Sequence, residues 1–142
     1  MVWSCLVSIL PGMAQTEKLT DYVNPFVGTD GYGNVYPGAQ IPFGGIQISP
    51  DTDSRFYDAA SGYKYNHLTL MGFSLTHLSG TGIPDLGDFL FIPGTGEMKL
   101  EPGTHEDPDQ GYRSRYSHDK EWASPNYYAV ELADYGVKAE MT

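Results

Sequence analysis

The densest set of groups able to bind or react lies between His77 and Asp88 of the 142-residue chain. His77, Ser79, Thr81, Asp85 and Asp88 offer one imidazole, two hydroxyls and two carboxylates. Gly80 and Gly82 alternate with the hydroxyl residues. Glycine carries no Cβ, so a ligand can approach the backbone N–H groups beside it. Half-apolar residues 72–78 and apolar residues 88–93 flank the loop and read as strand material that would hold it. A polar loop held by two strands is a common place for a binding site. The same residue types also build ordinary turns, because their side chains bond their own backbone. Composition alone leaves both readings open.

A second polar group comprises Asp58, Ser61 and Gly62, just ahead of Tyr63 and Tyr65. Aromatic faces beside short polar side chains suit sugars, whose apolar C–H faces rest on rings. Core or rim packing remains the alternative for both tyrosines. Other motifs fail on spacing. The glycine-rich residues 28–34 lack GK[ST], and Tyr36 breaks the dinucleotide pattern. Asp51 and Asp53 start like a calcium loop, but Phe56 stands where glycine is required and Gly62 where the bidentate glutamate belongs. His105, Glu106, Asp107 and Asp109 read as a solvated acidic loop rather than a metal cluster. His67 and His118 stand alone and read as packed or surface histidines. No catalytic or metal-ligating residue is assigned.

A net charge of −10 argues against nucleic acid and against an anionic membrane surface. No apolar run reaches the length of a membrane-spanning helix. The apolar residues 2–10, then Pro11 and the small Gly12 and Ala14, have the pattern of an export signal cleaved before Gln15, although no Lys or Arg precedes them. Cys5, the one cysteine, falls inside that segment, which leaves residues 15–142 without disulfide or thiol chemistry. The absence of an Asn-x-Ser/Thr acceptor fits a bacterial exported protein, periplasmic or extracellular.

The elements that must position these groups are short strands between Gly/Pro turns. Residues 21–28 read as an edge strand, with Pro25 removing a ladder donor. Residues 45–50, 98–100, 112–116 and 127–132 read as further strands, and 137–142 alternates to the last residue after a turn at Gly136. No helix of convincing period appears. The pattern predicts an all-β, antiparallel β-sandwich. The unpaired last strand predicts a chain that is the front part of a longer protein.

Ordered along residues 22–140 are Tyr22-Val23-Asn24-Pro25-Phe26-Val27-Gly28-Thr29, Pro42-Phe43-Gly44, Gln47-Ile48-Ser49-Pro50-Asp51-Thr52, Ser61-Gly62-Tyr63 and Thr76-His77-Leu78-Ser79-Gly80-Thr81-Gly82. Asp85, Gly87-Asp88 and Tyr135-Gly136-Val137-Lys138-Ala139-Glu140 follow. This series resembles glycoside hydrolase family 92, the calcium-dependent exo-α-mannosidases. The resemblance implies an exported two-domain enzyme whose β-sandwich, here residues 15–142 in part, packs against an (α/α)6 barrel absent from this chain. It implies an inverting hydrolysis of mannose-containing glycans by two carboxylates. Those carboxylates and the calcium ligands are expected beyond this segment, which alone would be inactive. The residues expected to contact substrate are Asp58, Ser61, Gly62, His77, Ser79, Gly80, Thr81 and Asp85. A non-catalytic carbohydrate-binding sandwich is the alternative. Where family members often carry Trp-Asp-Trp-Cys, this chain has Tyr57-Asp58-Ala59-Ala60, which leaves linkage preference open. His77 is expected to aim at the loop or the sugar, so that His77→Ala lowers turnover and leaves the melting temperature nearly unchanged. Gly80 and Gly82 are both expected in conformations a Cβ would strain.

Overall fold

The computed structural model describes residues 17–53, 55, 57–80, 82–85 and 87–142, without the Asp58 side chain. The expected export signal and Thr81 lie outside the described residues.

The most regular unit is built from β6 (Glu121–Ser124), β7 (Tyr127–Leu132) and β8 (Val137–Met141), an antiparallel sheet in that order. Its pattern follows from side chains alternating across the pleat. On β8, Val137, Ala139 and Met141 turn inward while Lys138 and Glu140 face solvent. On β7, Tyr128, Val130 and Leu132 are fully buried. The β6–β7 hairpin turns on Pro125 and Asn126, whose φ of 62° at the second position is the residue order of a type II turn. The β7–β8 turn uses Gly136 at φ 61°, as its place after Asp134 and Tyr135 predicts.

A second antiparallel sheet runs β1 (Ser49–Asp51), β3 (Gly72–Ser74), β4 (Leu90–Phe91). A third pairs β2 (Thr69–Leu70) with β5 (Ser114–Arg115). The helical pieces among the described residues are 3-10 turns of three or four residues. All three sheets feed one core. Leu70, Phe73, Tyr128, Val130, Leu132 and Met141 pack together, and the Phe73 and Tyr128 rings lie 6.3 Å apart at 59°. Each such buried side chain stabilises the fold by about 1.5–3 kcal/mol relative to exposure. The architecture is all-β and antiparallel, with sheets layered across that core.

Several expected strands are shorter than the sequence predicts, or absent. Residues 21–28 do not form an edge strand. Leu19–Tyr22 is a 3-10 turn, and the Asn24 side chain accepts from the Phe26 N–H. Such local side-chain bonds compete with ladder formation. Residues 98–100 form no strand, and Met98 and Leu100 are exposed. Of residues 88–93 only Leu90 and Phe91 pair, against Ser74 and Phe73. Residues 45–48 contribute one bridge, Ile48 to Ala39, before β1 begins.

Candidate functional site

The ends of β1 and β3 place two polar side chains at the floor of a cleft of about 330 Å³. Asp51 closes β1 and Ser74 closes β3, two strands paired in register Ser49 to Ser74 and Asp51 to Gly72. Ser61, Gly62 and Ala60 form one wall, and Thr76, His77, Pro84, Asp85 and Gly87 another. The volume is at the small end of ligand pockets.

Both Asp51 carboxylate oxygens are engaged. Oδ2 accepts from the Ser74 N–H at 2.8 Å, and Oδ1 lies 3.1 Å from His77 Nε2. His77 is buried. Its Nδ1 lies 2.7 Å from the Gln47 carbonyl, which can only accept, so Nδ1 carries a proton. Nε2 also meets Ser74 Oγ at 3.0 Å, and it forms an ion pair with Asp51 when the ring is protonated. The Gln47 side chain accepts from the His77 N–H at 3.2 Å, and the Tyr36 ring packs on the imidazole with centroids 4.9 Å apart. Ser74, His77 and Asp51 do not form a nucleophilic relay. Serine and carboxylate sit at the same ring nitrogen, whereas a relay needs them at opposite nitrogens. The group instead holds a rigid polar floor able to exchange hydrogen bonds with hydroxyls.

Gly62 explains why the wall fits this floor. Its φ is +84°, and a Cβ there would stand 2.2 Å from Asp51 Oδ1 and 3.1 Å from His77 Cδ2. Its carbonyl accepts from the Thr52 and Asp53 N–H groups at 2.7 and 3.1 Å, and its own N–H donates to the Ala59 carbonyl. Ser61 Oγ donates to the Val35 carbonyl at 3.2 Å.

Of the expected contact residues, the structure brings Ser61, Gly62, His77 and Asp85 to this cleft. Ser79 is exposed and Gly80 sits at φ +86° with its N–H on the Asn34 carbonyl; neither lines the cleft. Gly82 has no positive φ and open space where a Cβ would go, contrary to expectation, because the chain turns at Gly80 instead. Asp58 lies in the 3-10 turn Tyr57–Ala59, and its side chain and Thr81 are outside the described residues. Asp88 fixes the loop by accepting from the Thr76 hydroxyl at 2.8 Å. Sequence reasoning missed Asp51, Ser74 and Gln47. Gln47 and Asp51 stand in one of the matched segments, and Asp51 also opens the failed calcium loop, but neither is given a contact there. The register sets Asp51 opposite Gly72, from where its side chain reaches the Ser74 N–H.

A second polar cluster stands behind Asp53. Arg55 makes a bidentate contact to Asp53, with Nη2 at 2.8 Å and Nε at 3.1 Å. His105 is not simply in a solvated loop: Nδ1 meets Thr69 Oγ1 at 2.7 Å, and Nε2 lies 3.3 Å from Asp53 Oδ2, off the line of a hydrogen bond. Burial would raise the Asp53 carboxyl, but the His105 contact and the Arg55 bonds outweigh it and hold it well below the usual carboxylate range. Among the described residues, no group of three or more His, Cys, Asp or Glu is placed to hold a metal ion.

Residues 22–142 match the model of the glycosyl hydrolase family 92 N-terminal domain. A protein of Arthroderma benhamiae described as an uncharacterized secreted glycosidase is 32% identical over 123 residues, which are 85% of this chain and 15% of that protein. The structure of the family 92 glycosyl hydrolase ccman5 superposes with a TM-score of 0.65 at 34% identity, covering 80% of this chain and 14% of that one. The inverting mannosidase BT2199 from Bacteroides thetaiotaomicron gives 0.58 at 26% identity, covering 88% and 17%. The chain therefore spans less than a fifth of the length of each of these relatives.

Proposed function

The chain belongs to glycosyl hydrolase family 92, as its N-terminal domain, and on that premise we propose that the whole protein is an exported, exo-acting α-mannosidase that releases α-linked mannose from glycans with inversion. This chain lends one face of the substrate site. The observation that carries the reading is the cleft itself, where Asp51, Ser74, His77, Ser61 and Asp85 converge at the ends of paired strands. The fungal relative's description as a secreted glycosidase supports export. No helix among the described residues is long and apolar enough to cross a membrane.

Inversion requires one carboxylic acid on the leaving oxygen and one carboxylate on the attacking water. Asp51 does not suit either task, since His77 and the Ser74 N–H occupy its two oxygens. The proposal places acid and base outside this chain and gives Asp85 the sugar hydroxyls, over a floor that Asp51 and His77 hold in place. Calcium enters as a family property. The proposal assigns its ligands outside this chain too, and no step here runs through it.

The test is an assay of the protein together with its downstream sequence on α- and β-linked mannosides, glucosides and galactosides, with the product anomer followed by NMR. Release of mannose from α-mannosides, appearing first as the β-anomer, is the expected result. Release of a different sugar, or first appearance of the α-anomer, would refute it. Binding of mannose-rich glycan without hydrolysis would support a carbohydrate-binding module instead.

A further inference from the structure

Away from the cleft floor, β6 turns a carboxylate into the core. Glu121 has 1% of its side chain exposed and lies on the same face as the core residues of β7. A buried carboxylate is costly unless hydrogen bonds satisfy it. Here Tyr63 Oη lies 2.9 and 3.1 Å from its two oxygens, Tyr128 Oη lies 2.5 Å from Oε1, and His118 Nδ1 lies 2.7 Å from Oε2. His118 is held in turn by the Tyr65 carbonyl, 2.6 Å from Nε2, and by the Tyr65 ring stacked on it at 3.9 Å. Burial, and then the neighbouring Tyr116 and Glu121, push the Tyr63 hydroxyl far above its ordinary value, so it remains a donor.

Tyr63 is next in sequence to Gly62. The Gly62 wall has no slack toward Asp51 and His77, as the 2.2 and 3.1 Å approaches of a Cβ there show. Glu121 itself sits on β6, which is paired along its full length with β7. A continuous path thus joins the most regular sheet to the cleft: Glu121, the Tyr63 hydroxyl, the Gly62 backbone, then Asp51. We infer that Glu121 is a positioning residue for the cleft and that it acts through Tyr63 to set the Gly62 wall against the polar floor. The role rests on the proposed hydrolytic reading, since it assumes that the cleft binds the sugar. The Glu121 carboxylate touches no substrate in it.

Two variants test the inference in the protein with its downstream sequence, and each keeps the side-chain shape so that folding is retained. Tyr63→Phe removes the hydroxyl alone. Glu121→Gln keeps an oxygen for Tyr63 and Tyr128 and can donate an amide hydrogen to His118. Kinetics on an α-mannoside are read together with amide hydrogen exchange at Thr52 and Asp53, whose N–H groups report on the Gly62 carbonyl. For Tyr63→Phe, the KM is expected to rise about tenfold with kcat little changed, as for loss of binding common to ground and transition states. Exchange at Thr52 should quicken about tenfold as one buried hydrogen bond is lost. Glu121→Gln should leave both within about twofold of the parent, because the hydrogen-bond geometry persists. A Tyr63→Phe protein with lower melting temperature but unchanged KM would overturn the inference and leave a purely structural network. If the parent does not cleave mannosides, the proposed activity has failed. The exchange measurement then decides the positioning alone: quickened exchange supports it, and unchanged exchange overturns it.

Discussion

Substituting alanine at Gly62 should be far more damaging than at the other glycines of the loops around the cleft, for reasons that can be separated. Two terms act at Gly62. Its φ of +84° strains any residue with a Cβ, at a cost of about 1 kcal/mol. The added methyl would also meet Asp51 Oδ1 at 2.2 Å and His77 Cδ2 at 3.1 Å. Asp51 cannot withdraw without breaking its bond to the Ser74 N–H, and its backbone carbonyl accepts from Met71. Overpacking of this kind costs about 1–3 kcal/mol. The sum for Gly62→Ala is about 2–4 kcal/mol. Gly80 shares the positive φ, +86°, but has nothing within 4 Å of a Cβ. Gly80→Ala should therefore cost about 1 kcal/mol, the strain alone. Gly82 has neither feature, so Gly82→Ala should stay within about 0.5 kcal/mol of the parent. Urea unfolding of the three variants, followed by the fluorescence of Trp122 on β6, measures each term. A Gly62→Ala protein no less stable than Gly80→Ala would refute the close approach of Gly62 to Asp51.

Two further outcomes follow from the buried polar groups. His77→Ala should lower stability by about 2–4 kcal/mol, because it leaves the Gln47 carbonyl and the Ser74 hydroxyl without their partner; this replaces the sequence-based expectation of an unchanged melting temperature, and a thermal melt within experimental error of the parent would sink it. Asp53 has a depressed folded-state pKa, so its contribution is complete above the unfolded value of about 3.9 and is lost as pH falls through the folded value; the stability advantage of the parent over Asp53→Asn should be constant from pH 7 to pH 5 and shrink toward pH 2, and an advantage independent of pH across that range would be inconsistent with the Arg55 and His105 contacts.

Much of the fold was legible because it depends on local pattern. The alternation of residues 127–132 and 137–141 marks β7 and β8 without reference to anything distant, and Gly136 marks the turn between them by its need for φ above zero. The ordered motifs from Tyr22 to Glu140 likewise carry the family by residue identity alone. Local pattern failed where pairing partners decide the outcome. Residues 98–100 alternate and yet find no ladder, and Asn24 diverts residues 21–28 into turns by bonding its own backbone. The cleft shows the same division. His77, Ser61, Gly62 and Asp85 could be nominated from their types and motif positions. Gln47 and Asp51 stand in a matched segment too, but their contact with His77, like that of Ser74, could not be read there, because it depends on the register of β1 on β3 and the return of the chain past residue 47. The role of Glu121 was equally hidden. Sequence shows a charge on an alternating strand, and only the tertiary structure turns that charge inward, where burial forces it to find Tyr63, Tyr128 and His118.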